Sequence, residues 1–389
     1  MSELLFLLLP IAVAYGWYMG RRSGHQELKD TSLKLSEKYV AGLNYLFSDQ
    51  SDKAVDLFIE MIQVDSETID THLALASLFR KRGEVDRAIR LHQNLIARPN
   101  LPVEQRDLSM LELGHDYLVA GLYDRAEQIF IELLSHEGYR TKAAEQLLHI
   151  YEYTKEWDKA IEVVESHKLY QQPKIKAALA HYYCQLVEPL VRRGDFNHAL
   201  RFLNQAIKSD PACIRAHIEK ANILIEQGDR KTALKSLQQI PSHDVDFASE
   251  ILDLIEPLFA GQRDPKAYEH YLRDLLQLGA GVSVLIKLAQ RVAATDGEEA
   301  AEALVKQELV RHPTMRGFCH LMHYHIHSAE TGKARSSLKS LQELVAQQIR
   351  IKPKYRCCNC GFSSGSLLWH CPSCKSWGRI KPIRGLDGE

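Results

Sequence analysis

The sequence predicts an all-α chain made of an apolar N-terminal helix, a solenoid of repeated helical hairpins and a small C-terminal metal-binding module. Three observations predict this architecture: an uncharged run at the N-terminus, a motif that recurs about every 34 residues, and two Cys-x-x-Cys pairs near the C-terminus. A fixed period of this length is typical of stacked repeats rather than of ordinary globular domains.

The overall composition is that of a folded protein. The 389 residues are 45% hydrophobic and 25% charged, and their formal net charge is −1. These values exclude wholesale disorder, collagen and a polytopic membrane protein. Eight cysteines are too few for a miniprotein held together by disulfides, so their positions matter more than their number.

The first element is an uncharged run over residues 4–20, which Arg21 and Arg22 follow directly. A helix of this length spans about 25 Å, slightly less than a hydrocarbon core of roughly 30 Å. A cleaved signal peptide carries its positive charge before the apolar run, whereas here the arginines come after it. We therefore predict a transmembrane anchor over 1–20, a juxtamembrane linker over 21–34, and the rest of the chain on the cytoplasmic side.

The second element is a repeat marked by an alanine that follows a Gly-containing turn and an acidic residue. Successive alanines are separated by 34, 38, 34, 39, 34, 34, 34 and 33 residues; they are Ala54, Ala88, Ala126, Ala160, Ala199, Ala233, Ala267, Ala301 and Ala334. A period of 34 is that of the tetratricopeptide repeat, a helix–turn–helix unit. We predict about nine repeats over 35–349, with each alanine buried where two helices cross.

A solenoid of this kind commonly binds a peptide or another protein, because stacked repeats present a long continuous surface. The alternative is that the repeats only separate the two ends of the chain. We favour binding.

The third element is a metal site in the segment 350–389. Two Cys-x-x-Cys pairs, separated by ten residues, predict a closed tetrahedral site with the ligands Cys357, Cys360, Cys371 and Cys374. Four thiolates suit zinc or iron, and their spacing does not choose between the two metals. His370 is a second candidate ligand that could replace a cysteine.

The same segment is strongly basic. Residues 350–384 contain eight Lys or Arg and no acidic residue, so the rest of the chain carries a formal charge of −9. The near-neutral total therefore conceals a cationic module. We expect Tyr355, Trp369 and Trp377 to form the small core that the metal completes.

No motif in the sequence predicts catalysis. His323 and His327 lie four residues apart but lack the Glu of a zinc protease, and Gly279 and Gly281 lack the third glycine of a dinucleotide fingerprint. We predict that the protein is not an enzyme.

The two ends of the chain carry a family resemblance that covers essentially its whole length. They read ELLFLLLPIAVAYGWYMGRRS and YRCCNCGFSSGSLLWHCPSCKSWGRIKPIRGLDG, and together with the repeats they resemble the lipopolysaccharide assembly protein B family of Gram-negative bacteria. The resemblance implies a single-pass inner-membrane protein with a periplasmic N-terminus and a rubredoxin-like module that holds its metal through four cysteines. It implies the same four cysteines as ligands and favours one iron ion, with zinc as the alternative.

The function implied by the resemblance is that of an adaptor that limits lipopolysaccharide synthesis. Its implied partners are the FtsH protease, the LpxC deacetylase that FtsH degrades, other lipopolysaccharide-assembly proteins and the inner membrane. Two alternatives stay open: a redox-active rubredoxin-like carrier or sensor, and a nucleic-acid-binding zinc-ribbon scaffold, although nucleic acid is not the expected partner. Self-association also stays open.

Overall fold

The structure is a computed structural model that describes residues 40–42, 44–45, 50, 53–55, 57–59, 69–260, 266–329 and 332–389. The chain divides into two compact units, Met1–Thr154 and Lys155–Glu389. The predicted juxtamembrane linker lies outside the described residues. The predicted domain boundaries stay a prediction.

The described part of the first unit is helical. Residues 40–42, 44–45, 53–55 and 57–59 are helical, and from residue 69 onward the helices are α1 (Ile69–Lys81), α2 (Val85–Ile96), α3 (Val103–Val119), α4 (Tyr123–Leu133) and α5 (Arg140–Thr154). Helix α1 packs on α2, α2 on α3 and α3 on α4. The closeness of α3 and α4 depends on Gly114, because a Cβ atom there would lie 2.5 Å from Cζ of Phe130.

A buried polar network also connects the helices of the first unit. His92 Nδ1 lies 2.6 Å from Asp116 Oδ2, and the Arg80 guanidinium donates to Asp116 Oδ1 at 2.8 Å. Both His92 and Asp116 are fully buried. Burial of these charged and polar groups is tolerated because they pair with one another across three helices.

The second unit is an array of helices that ends in three short strands. Its helices are α6 (Trp157–Ser166), α7 (Pro173–Gln185), α8 (Val187–Arg192), α9 (Phe196–Ser209), α10 (Ile214–Glu226), α11 (Arg230–Gln238), α12 (Ile240–His243), α13 (Ala248–Phe259), α14 (Ala267–Gln277), α15 (Val282–Asp296), α16 (Glu298–Arg311), α17 (Met315–Ser328) and α18 (Lys333–Ile351). Two single 3₁₀ turns occupy Leu169–Gln171 and Val245–Phe247. A continuous apolar core runs from α10 to α17.

The repeat alanines test the predicted helical hairpins. Seven are completely buried: Ala54, Ala88, Ala126, Ala160, Ala199, Ala233 and Ala301. Ala267 is half-buried and Ala334 is exposed. The predicted burial is therefore confirmed at seven positions and wrong at Ala334, since α18, on which Ala334 lies, buries none of its residues.

The prediction of an all-α fold needs one amendment, because the C-terminal module contains a small sheet. The strands are β1 (Tyr355–Cys357), β2 (Ser363–Ser364) and β3 (Ile380–Pro382). The sheet order is β2-β1-β3 with both pairings antiparallel, and Cys357 lies opposite Ile380.

The predicted membrane span is corrected. Among the described residues, no helix is both long and apolar enough to cross a bilayer. The longest described helix, α18, has 19 residues, and five of them are charged: Lys333, Arg335, Lys339, Glu343 and Arg350. This finding contradicts the predicted single-pass inner-membrane location. The segment 1–20, on which the anchor was predicted, lies outside the described residues.

Candidate metal centre

Two tight turns bring the four predicted ligands together. In the first, Cys357 N donates to Phe362 O and Gly361 N donates to Cys357 O. In the second, Cys371 N donates to Ser376 O and Lys375 N donates to Cys371 O. The residue after each Cys-x-x-Cys pair is left-handed, with φ of 78° at Gly361 and 55° at Lys375. The two turns therefore have the same backbone shape.

The four thiol sulfurs form one compact cluster. All of them lie within 4.8 Å of one another, and this is the one group of three or more metal-binding side chains found among the described residues. The Sγ–Sγ distance is 3.7 Å from Cys357 to Cys374 and 3.6 Å from Cys360 to Cys371. Four sulfurs at about 2.3 Å from a tetrahedral ion would be separated by roughly 3.8 Å. The cluster therefore fits one tetrahedral ion, although its geometry does not choose the metal.

The thiols differ in their electrostatic surroundings. Hydrogen bonds from Ser376, whose Oγ lies 3.4 Å from Cys374 Sγ, and then from Asn359 lower the pKa of Cys374 to about 5. Burial instead raises the pKa of Cys357 to about 11. A bound cation would favour the thiolate at both positions, because thiolates are the ligand form. Metal binding at this site would therefore release protons.

Two neighbouring residues that could compete as ligands lie outside the cluster. Cys358 is exposed and its backbone N donates to Arg379 O. His370 stacks on Trp377 with ring centroids 4.3 Å apart, and its Nε2 lies 3.0 Å from Lys375 O. The carbonyl contact and the stacking account for the position of the His370 ring without a metal.

The module's tryptophans pack on the helices rather than in a core of their own. Trp377 stacks on His181 of α7, with ring centroids 5.2 Å apart, and Trp369 stacks on Phe247 at 5.9 Å. The core of the module consists instead of Cys357, Cys371 and Ile380, with residues including Tyr355 and Phe362 packed against them. The expected tryptophan core is therefore wrong for Trp369 and Trp377, which attach the module to the helical array.

Ion pairs and hydrogen bonds reinforce this attachment. Lys381 Nζ lies 2.5 Å from Asp244 Oδ2, and Arg384 Nε donates to Asp246 Oδ1 at 2.8 Å. Tyr355 donates to the Glu250 carboxylate at 3.0 Å, and burial raises the pKa of Glu250. Part of the module's basic charge is therefore neutralised within the chain, which sequence reasoning did not anticipate.

The last residue of the chain completes the attachment. The Glu389 carboxylate accepts hydrogen bonds from Ser283 N at 2.9 Å and Ser283 Oγ at 2.7 Å, and it also pairs with Arg316. Ser283 lies at the start of α15, where unpaired N–H groups and the helix dipole favour an anion. No motif in the sequence pointed to this contact.

Comparisons with known proteins match both the helical repeats and the four-cysteine module. Residues 355–382 match a family described as a rubredoxin metal binding domain, and residues 71–104 and 190–256 each match a tetratricopeptide repeat family. Lipopolysaccharide assembly protein B of Escherichia coli K12 is 44% identical over 388 residues, and the match covers 100% of each chain.

A second relative supports the same assignment. The protein of that name from Haemophilus influenzae is 39% identical over 396 aligned positions, again with 100% of each chain covered. The predicted resemblance is thus confirmed across the whole sequence. The chain belongs to the lipopolysaccharide assembly protein B family.

Proposed function

We propose that this chain is a non-enzymatic adaptor in lipopolysaccharide assembly. The name of its full-length relatives supports a role in lipopolysaccharide assembly. The repeat fold supports binding of other proteins rather than catalysis. The observation that carries the adaptor role is the attachment of the four-cysteine module to the helices through Trp377, Trp369 and Glu389. An ion at the cysteines would thereby hold the module in a fixed position on the helices of the second unit.

We propose further that Cys357, Cys360, Cys371 and Cys374 ligate one ion, with iron favoured and zinc as the alternative. The ion would supply folding free energy, because a module of about 40 residues has too small a core to be stable alone. The division into a solenoid over 35–349 and a module over 350–389 belongs to the same proposal.

The ligand assignment is tested by metal content and absorption. We expect one iron per chain in the purified protein, with thiolate-to-iron absorption in the visible range. Cys371→Ser should lose the ion, whereas Cys358→Ser should retain it, because Cys358 is exposed and lies outside the cluster. One equivalent of zinc in a colourless protein would identify the bound metal as zinc rather than iron. Loss of metal from Cys358→Ser would contradict the proposed set of four ligands.

The specific regulatory role that we propose is promotion of FtsH-dependent proteolysis of the LpxC deacetylase. An adaptor that binds protease and substrate together makes their encounter effectively intramolecular, which raises the local concentration of substrate without new chemistry. Other lipopolysaccharide-synthesis proteins are further candidate partners.

This role is tested by the lifetime of LpxC after protein synthesis is stopped, in cells that carry only a variant copy of this chain. With the parent and with Cys358→Ser we expect rapid loss of LpxC, and with Cys371→Ser we expect its lifetime to lengthen several-fold. Normal LpxC loss with Cys371→Ser, in cells where the variant is present at parental abundance, would contradict the proposal.

A further inference from the structure

Helix α18 is the last helix before the module, and all of its 19 residues, each of them described, remain at least partly exposed. Its half-buried residues repeat at helical spacing: Arg335, Leu338, Gln342, Val345, Ala346 and Ile349. This face lies against α17, where Gln342 Nε2 donates to Cys319 O at 3.1 Å. One face of α18 is therefore occupied within the chain.

A second face of α18 is exposed and uncharged. It consists of Ala334, Ser337, Leu341, Leu344, Gln348 and Ile351, which we call the α18 stripe. Leu341, Leu344 and Ile351 are 48%, 61% and 70% exposed. The stripe residues are separated by alternating steps of three and four, the spacing of a coiled-coil seam. Of the five charged residues of α18, four lie off the stripe and Lys333 lies at its N-terminal end.

Repeat stacking explains why such a seam needs a partner. Each inner helix of a solenoid buries apolar surface against neighbours on both sides, and terminal repeats normally have a polar outer face. The stripe lacks that polar character at Leu341, Leu344 and Ile351. Exposed apolar residues at seam spacing are typical of a surface that another helix covers.

We propose that the α18 stripe is a homodimer interface, on which α18 of a second copy packs in antiparallel orientation. A two-fold axis between Leu341 and Leu344 places each of these leucines opposite the other in the second copy. The same axis places Ser337 opposite Gln348 and Ala334 opposite Ile351. Polar residues thus meet polar residues, and a small residue meets a large one, as a self-complementary interface requires.

The length and charge of the stripe indicate a reversible dimer. Eighteen residues extend for about 27 Å, and a single helix pair of this length is small beside the roughly 1,200–2,000 Å² of a standard stable interface. The pairing also brings Lys333 near Lys352 of the second copy, although Lys352 contacts Asp387 in its own chain, which reduces the repulsion. We expect a dissociation constant on the order of micromolar.

Sedimentation equilibrium of the full-length chain over a range of concentrations tests the dimer. The parent should change from monomer to dimer, and Leu344→Glu should weaken dimerisation by at least about tenfold, because it places two carboxylates in an apolar seam. The matched control is Leu278→Glu, at a leucine that is also 61% exposed but lies at the end of α14. A monomeric parent, or equal dimerisation by the parent and Leu344→Glu, would overturn the proposal, as would dissociation by Leu278→Glu.

The antiparallel register has its own test in a Cys358→Ser background. A short bifunctional thiol reagent should join a chain carrying Ser337→Cys to one carrying Gln348→Cys, and neither chain to its own copy. Crosslinking of Ser337→Cys chains to each other would indicate a parallel pair and contradict the register. Absence of crosslinking in every mixture would overturn the homodimer.

Discussion

Lys375 adopts the left-handed conformation that Gly361 adopts at the equivalent place in the first cysteine turn. A residue with a Cβ atom is less stable in the left-handed region by about 1–2 kcal/mol. Replacing it by glycine removes this strain, but the gain is reduced because glycine loses more backbone entropy on folding. We expect Lys375→Gly to tighten metal binding about two- to fivefold, since folding of the module and metal binding are coupled.

Competition with a chelator measures the metal affinity of Lys375→Gly. The matched control is Lys354→Gly, at a lysine of the same module that is not left-handed. No gain is expected there, because glycine would add only entropy to the unfolded chain. Equal affinities of Lys375→Gly and the parent would show that Lys375 is not strained.

His181 is only 4% exposed, beneath the tryptophans of the module. Burial, followed by the charges of Arg215 and His370, lowers the pKa of His181 to about 3. In the unfolded chain His181 has a pKa near 6.5 and binds a proton below that pH, whereas in the folded protein it stays neutral until about pH 3. The contribution of His181 to the free energy of unfolding is therefore lost as pH falls.

We expect the His181 contribution to the free energy of unfolding to fall by about 1.4 kcal/mol between about pH 7.5 and pH 5.5. Denaturant titrations at the two pH values measure it, and the loss should be smaller by that amount in His181→Phe. His149→Phe, at an exposed histidine of α5, should keep the parental loss. Equal losses in the parent and His181→Phe would contradict the assignment.

At the scale of elements, the contact between Glu389 and α15 depends on a glycine. A Cβ atom on Gly281 would lie 2.5 Å from the Glu389 Cβ, so a side chain there would displace the carboxylate from the helix start. We expect Glu389→Ala to lower the free energy of unfolding of the second unit by about 1–2 kcal/mol, because it leaves Arg316 and the N–H of Ser283 without this partner.

Denaturant unfolding followed by tryptophan fluorescence measures the effect of Glu389→Ala. Asp387→Ala removes a nearby exposed carboxylate that contacts Lys352, and we expect a change of no more than about 0.5 kcal/mol. If the two variants lost the same stability, the helix-start contact of Glu389 would have no special role.

The repeats and the cysteine turns could be predicted because their information is local. Ala88 and Ala126 are buried as predicted, since helix crossing requires a small residue at a fixed position in every hairpin. The contacts of Tyr355 with Glu250 and of Arg384 with Asp246 could not be predicted, because they join residues 105 and 138 positions apart and no periodicity relates them. The predicted burial of Ala334 was wrong, because repeat spacing does not reveal that no further helix covers the outer side of the last one.

At the scale of the whole molecule, some basic residues of the module form ion pairs within the chain rather than facing solvent alone. Residues 350–384 contain eight basic residues, of which Lys352, Lys381 and Arg384 pair with carboxylates of the chain. Two of these carboxylates, Asp244 and Asp246, belong to the helical part of the second unit. The charge imbalance that the sequence conceals is thus partly a means of attaching the module.

Metal removal should therefore affect the helices as well as the module. We expect a chelator, or Cys371→Ser, to unfold the module and release Trp377 from His181 and Trp369 from Phe247. The near-ultraviolet circular dichroism of the tryptophans should fall while most of the helical far-ultraviolet signal remains. The second unit should melt several degrees lower, because losing an aromatic contact of this size costs about 3 kcal/mol or more.

Two controls separate attachment from general instability. Cys358→Ser should keep the tryptophan signal and the melting temperature, and returning the metal to the stripped parent should restore both. An unchanged melting temperature after complete metal loss would contradict the coupling, since it would mean that the helices do not depend on the attached module. Loss of the whole helical far-ultraviolet signal would also contradict the prediction, because it would mean that the helices do not fold without the ion.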